Sequence, residues 1–351
     1  MKHTRRMLEK VLASTQLITF LAIGIIAVIA GCTTAPVTAP TGQVSPPHLT
    51  KVSVALDWFP WSGQAGLWVA QEKGYFADEG LDVELNVPSD PATILQTVAS
   101  GRDDFGISYA PDVFLARDKE IPVVSVIGLV QHPLYSLMSL ESSNIEQPND
   151  FAGKKIGHSG LAFNEIVIDT MLKFGGKSLK DVELVNLGFD LVPALITKKV
   201  DGILAYWVVE SISAENQGFP VDLMRAEEYG VPDYYELTIV TNEGKVAQNK
   251  DLVQRFVRAT MRGYEDAIAD PQGAVLLMKQ ARPEVDLSVD SKGVDLLVPL
   301  WKSDNGIFGW QDEKRWIDFA QWMKDNDLLS EDVDAAKAFD NSFVANAGKQ
   351  K

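Results

Sequence analysis

Residues 54–85 read VALDWFPWSGQAGLWVAQEKGYFADEGLDVEL. The two ends of this stretch belong to apolar runs of strand length, KVSVALD (51–57) and LDVELNV (81–87), and residues 64–79 between them have a helical pattern. A strand–helix–strand unit of this size predicts parallel strands in a sheet covered on both faces. Asp57, Trp58, Phe59, Pro60 and Trp61 crowd the turn between the first strand and the helix. In open α/β sheets that turn faces the crevice where ligands bind.

The alternation continues along the chain. DFGIS (104–108) follows a helix around 92–100, and VVSVIGLV (123–130) follows one around 112–118. A second set begins near residue 144: KKIGHS (154–159), a helix over 164–174, VELVNL (182–187), a helix over 190–199 and DGILAYW (201–207). After YYELTIVTNE (234–243) the pattern turns helical, with segments at 251–269, 271–280, 288–301 and 311–324. The sequence has no internal repeat and no heptad seam. It therefore predicts an α/β protein of two lobes, the first resuming after the second. Residues 51–140 and 237–351 form one lobe with the C-terminal helices, and 141–236 form the other. Crossings near 138–142 and 235–241 would make a two-strand hinge, an architecture that closes on ligands.

The N-terminus carries an export pattern. Lys2, Arg5, Arg6 and Lys10 precede a short apolar run at 17–30, too short to span a bilayer and of the right length for a signal peptide. Residues 1–31 read as the signal, with an uncleaved anchor helix as the alternative. IAGC, ending at Cys32, resembles a bacterial lipobox, in which the cysteine is lipidated. Cys32 is the one cysteine of the chain, which excludes an internal disulfide. Residues 32–50, rich in Pro, Thr and Ser, read as an extended tether. The chain has a net charge of −16. Removing residues 1–31 leaves 28 basic against 47 acidic residues, a net −19. A body this acidic repels nucleic acid and anionic lipid, so attachment to the cell membrane falls to the lipid.

Three stretches carry a family resemblance: the one that opens this section, TVASGRDDFGISYAPDVFLARDKEIPVVSV (97–126) and KKIGHSGLAFNEIVIDTML (154–172). In this order they resemble the thiamine-precursor solute-binding proteins of ABC importers, whose fold is similar to that of yeast pyrimidine synthases. The resemblance implies a type II periplasmic-binding fold, a ligand in the cleft between lobes, and permease and ATPase subunits as partners. One departure stands out. Where the family often reads WxPNxxHxG, this chain has WFPWSGQAG, with Trp61 in place of Asn and Gln64 in place of His. The exchange removes a titratable ring and adds an indole, which favours a wider flat ring. On that ground the chain also resembles the riboflavin-binding subunit of a bacterial riboflavin importer. Riboflavin is the expected ligand, and a thiamine pyrimidine precursor (formylaminopyrimidine or hydroxymethylpyrimidine) is the alternative.

The expected contacts are Asp57, Trp58, Trp61 and Gln64 from the first strand end; Tyr109 and Asp112 from SYAPD; Ser159, Asn164 and Glu165 from SGLAFNE; Tyr206 and Trp207 from YWVVE; and Tyr235 at the return crossing. Aromatic faces supply stacking area and a few fixed polar groups read the ligand's edge. Other roles compete. Asp57 suits a turn cap, Asp112 a helix N-cap, and Glu165 the positive end of a helix. Trp68 and Phe76 fall on an amphipathic helix and read as core, as do Trp301, Trp310, Trp316 and Trp322. An enzyme is the rival class, because the yeast synthases use a histidine and a cysteine cluster with iron. Here His132 and His158 are the histidines of the folded body, and no cysteine lies inside it. No metal site, cofactor or phosphate loop is expected.

Overall fold

The computed structural model describes residues 49–347. The predicted signal, Cys32 and most of the tether lie outside them. In chain order the strands are β1 (Thr50–Ala55), β2 (Leu81–Asn86), β3 (Phe105–Ser108), β4 (Val123–Val130), β5 (Tyr135–Leu140), β6 (Lys155–His158), β7 (Glu183–Asn186), β8 (Gly202–Tyr206), β9 (Val221–Arg225) and β10 (Leu237–Asn242). They form two five-stranded sheets, ordered β2-β1-β3-β10-β4 and β7-β6-β8-β5-β9. This is the α/β, two-lobed periplasmic-binding architecture expected from the sequence.

The strand patterns explain the layering. In β2, Leu81, Val83 and Leu85 are buried while Asp82, Glu84 and Asn86 are exposed, as suits an edge strand covered on one face. Strands β3, β4 and β5 are buried throughout, as strands covered on both faces must be.

Two expectations need correction. Neither sheet is purely parallel: β10 runs antiparallel to β3 and β4, and β5 runs antiparallel to β8 and β9. Each is the first strand laid down after a crossing, so it enters its sheet from the cleft side and runs back against its neighbours. The first crossing is also earlier than 138–142, because those residues lie in β5 and the turn that follows it. The chain leaves the first sheet at 131–134, where the His132–Pro133 pair interrupts strand pairing. It returns through 226–236, ahead of β10.

The two crossings are bonded to each other. Leu134 N–H donates to Glu236 Oε2 (2.6 Å), Glu236 N–H to the Val130 carbonyl (3.0 Å), and His132 Nδ1 lies 2.8 Å from Asp233. His132 is thus a crossing residue, consistent with its reading as a loop position.

The C-terminal helices brace the first strand–helix turn. Helix Lys250–Ala269 crosses helix Ala65–Glu72 so closely that a Cβ on Gly263 would lie 2.1 Å from the Gly66 carbonyl. Tyr264 fills the space over Gly66 and donates its hydroxyl to the Gly63 carbonyl (2.8 Å). Trp68, Phe76, Trp301 and Trp316 are all buried as core. Trp301 meets Tyr264 edge-on at 5.4 Å, and Trp316 stacks on Phe339 at 5.4 Å.

Candidate ligand cleft

The carboxyl ends of β1, β3, β6 and β8 face one cavity between the lobes, about 430 Å³ including the open space at its mouth. The first lobe contributes Asp57, Trp58, Trp61 and Tyr109 to it. The second contributes Tyr135, Ser159, Leu161, Tyr206 and Glu210, with Leu191, Leu204 and Val209 as apolar wall. Asp57, Tyr109, Ser159 and Tyr206 sit at or just past strand ends, Tyr135 opens β5, and Glu210 opens the helix that follows β8.

Asp57 is the best supported of these. It is 1% exposed, and takes hydrogen bonds from Gln64 Nε2 on Oδ1 (2.9 Å) and from the Trp61 indole N–H on Oδ2 (3.2 Å). Burial pushes its pKa up to about 6, and the two donors only partly offset that. Across the cleft Glu210 is half-buried. Its Oε2 accepts the Tyr206 N–H at 3.0 Å, and burial raises its pKa to about 7, with the Asp57 charge adding to the rise. No basic side chain lines this cavity.

The aromatic wall is continuous across the lobes. Trp61 and Tyr206 lie 5.7 Å apart, and Tyr206 and Tyr135 lie 4.9 Å apart. At the mouth, Trp58 meets Phe189 edge-on at 4.3 Å, and Phe59 tilts against the same ring at 4.7 Å. Phe189 belongs to the second lobe, so this triad closes the entrance. Beyond it lies a vestibule of about 1440 Å³.

Of the sequence-predicted residues, Asp57, Trp58, Trp61, Tyr109, Ser159 and Tyr206 meet at the cavity. Gln64 and Asn164 stand behind it. Gln64 is fully buried against Asp57. Asn164 accepts from Ser159 Oγ (2.8 Å) and the Leu161 N–H (3.1 Å) and donates to the Tyr135 hydroxyl (2.9 Å), so it ties together three lining residues. Glu165 is exposed in the first turn of helix Ala162–Phe174, where only the helix dipole needs it. Trp207 is half-buried away from this cavity, with the Arg225 guanidinium 4.3 Å from its ring centroid. Tyr235 stacks on Trp316 and accepts the Asp312 N–H, tying the return crossing to the C-terminal helices. Asp112 lines a neighbouring cavity instead.

Sequence reasoning missed Tyr135, Glu210 and Glu236. Glu210 ends the YWVVE segment already placed at the cleft, so the segment was legible and the residue was not chosen. Glu236 is fully buried and collects the Leu134 N–H and the hydroxyls of Tyr234 (2.8 Å) and Tyr206 (2.9 Å); burial raises its pKa to about 7. It therefore couples a lining residue, Tyr206, to both crossings.

The sequence profile of the family described as NMT1/THI5 like matches residues 61–274. The chain belongs to that family. It is 34% identical over 296 residues to the formylaminopyrimidine-binding protein of Halalkalibacterium halodurans, covering 83% of this chain and 90% of that one. It is 31% identical to the riboflavin-binding protein RibY of Chloroflexus aurantiacus, covering 92% of this chain and 96% of that one. Among solved structures, the ligand-binding component of an ABC-type import system from Staphylococcus aureus superposes with a TM-score of 0.66. It shares 14% identity over 85% of this chain and 99% of that one, which bears on the fold alone.

Proposed function

We propose that this chain is the solute-binding subunit of an ABC importer and captures a thiamine pyrimidine precursor, an aminopyrimidine, in the cleft between its lobes. One observation carries the choice of ligand. Asp57, buried, and Glu210, half-buried, approach one aromatic-walled cavity from opposite lobes, and among the described residues no cationic side chain lines it. Buried carboxyl groups are stabilised when a donor reaches them. An aminopyrimidine offers an exocyclic amine and a protonatable ring nitrogen, and its single ring suits a small cavity lined by Trp61 and the tyrosines.

Riboflavin is the second reading. The indole at position 61 and the 31% identity with a riboflavin-binding relative favour it. Against it, the isoalloxazine edge presents one N–H among acceptors, fewer donors than two desolvated carboxyl groups call for.

The signal pattern and Cys32 support export and lipid anchoring at the outer face of the cell membrane. Hydrolysis of ATP and passage across the membrane then fall to separate ATPase and permease subunits. A Cys32→Ser chain should be released or left unprocessed, and continued processing and membrane retention would refute the anchor.

Calorimetric titration of the exported form with formylaminopyrimidine, hydroxymethylpyrimidine and riboflavin tests the ligand. The proposal expects submicromolar binding of an aminopyrimidine and at least tenfold weaker binding of riboflavin. The reverse order would establish the second reading, and consumption of the ligand would make the chain an enzyme.

A further inference from the structure

A second cavity, about 770 Å³ including its mouth, lies on the far side of Tyr109 and Leu161. Those two residues line both cavities, so their side chains form the partition. The second space is also interlobe. Helix Ala110–Asp118 and the residues around Ile94 wall it from the first lobe, and residues 160–162 wall it from the second. Its lining is mostly apolar, with Ile94, Leu95, Leu115 and Ile121, and Asp112 stands among them.

Asp112 sits in the first turn of helix Ala110–Asp118, where the helix dipole favours an acid, yet its hydrogen bonding is incomplete. It is 8% exposed and accepts no side-chain donor among the described residues; the Phe163 amide of the opposite lobe and the charge of Lys119, which lines the same cavity, are what offset its burial. An acid buried with a single backbone donor destabilises the protein unless something else completes its bonding. Packing alone holds the Tyr109 side of the partition. The Tyr109 hydroxyl has no hydrogen-bond partner among the described residues, so turning the ring aside breaks no bond.

We propose that the cavity beside Asp112 is a tail subsite, taking a hydroxyl- or amide-bearing substituent of the ring ligand, with Tyr109 as the gate that limits tail length. The subsite rests on the ring ligand proposed above. A tail donor on Asp112 would place the ligand between Asp112 and residues 160–162, adding a second bridge between the lobes.

Three 4-amino-2-methylpyrimidines that differ only at position 5 test this by calorimetry: methyl, formylaminomethyl and the longer glycylaminomethyl. In the wild type, affinity should rise at least tenfold from methyl to formylaminomethyl. Asp112→Asn, nearly isosteric and outside the ring cavity, should abolish most of that gain and leave the methyl compound unchanged. Tyr109→Ala weakens the ring wall for all three compounds, so the readout is the affinity ratio of the glycylaminomethyl to the methyl compound, which should rise at least fivefold. Ratios within twofold of wild type in both variants overturn the subsite while leaving the ring ligand standing. If the wild type binds none of the three, the ring reading fails and the subsite fails with it.

Discussion

In the proposed site, Asp57 is held in place before any ligand arrives. Gln64 stands where the family often has a histidine, and it spends its amide N–H on Asp57 Oδ1. Gln64→Ala leaves the cavity lining in place but removes that donor, and a hydrogen bond to a buried carboxylate is worth roughly 1.5–3 kcal/mol. Ligand affinity should fall by about tenfold to a hundredfold, measured by calorimetry alongside a thermal melt to confirm folding; unchanged affinity would show that Asp57 needs no support. Trp61→Ala loses stacking worth roughly 0.5–1.5 kcal/mol as well as buried area, so binding should weaken by about one to three powers of ten. Trp68→Ala empties a core site instead. It should cost about 3–5 kcal/mol of stability and leave the affinity of the folded fraction nearly unchanged. Asp57, Trp58 and Trp61 were legible because a strand end ahead of a helix faces the crevice by topology. Tyr235 was misread and Tyr135 missed because their roles depend on where the crossings run. Tyr235 packs on Trp316, far along the chain, and Tyr135 reaches the cavity only because β5 belongs to the second sheet.

Among the elements, helix Leu287–Leu297 deserves a test because it touches both lobes. Asp290 accepts the Ser62 N–H of the first lobe at 2.6 Å. At the other lobe Asn216 Nδ2 donates to the Ser288 carbonyl (2.9 Å), and Lys292 Nζ donates to Asn216 Oδ1 (2.8 Å). A Cβ on Gly293 would lie 2.8 Å from the Val208 carbonyl and 2.9 Å from Ser62 Oγ, so the helix fits only without a side chain there. If this helix straps the lobes in the closed state, Asn216→Ala should raise the ligand dissociation rate about threefold to tenfold with little change in association, as interface changes usually do. Gly293→Ala should do the same more strongly, because it wedges the lobes apart. Stopped-flow tryptophan fluorescence reads both rates, and unaltered dissociation in the two variants would refute the strap. The helix itself was legible from its apolar spacing, within residues 288–301. Its contact with the second lobe was not, since Asn216, Ser288 and Lys292 are ordinary surface residues until the fold brings them together.

For the whole molecule, the alternating pattern made two α/β lobes readable, while the antiparallel strands β5 and β10 came from crossing geometry that no local pattern encodes. The buried acids give the molecule a signature with pH. Glu236, Glu210 and Asp112 are raised to about 7, and Asp57 and Asp290 to about 6, in each case chiefly by burial. Each binds its proton more tightly folded than unfolded, so its contribution is fully present below the unfolded pKa and is lost as pH rises through the folded one. Asp266, Glu284 and Asp286 have lowered pKa values, and their opposite contribution is complete by about pH 5. The ligand-free melting temperature should therefore fall from pH 5 to pH 8; a rise over that range would mean the acids are not buried as described. Two lobes joined by two crossings should also compact on binding, giving a smaller radius of gyration in solution scattering with saturating ligand. The central claim is that the cleft holds a flat aminopyrimidine between acids of opposite lobes. Mass spectrometry of the small molecule released on denaturing protein purified from its own cells tests it most directly. One equivalent of an intact aminopyrimidine is the predicted result, and a flavin, or a ligand with no aromatic ring, would contradict it.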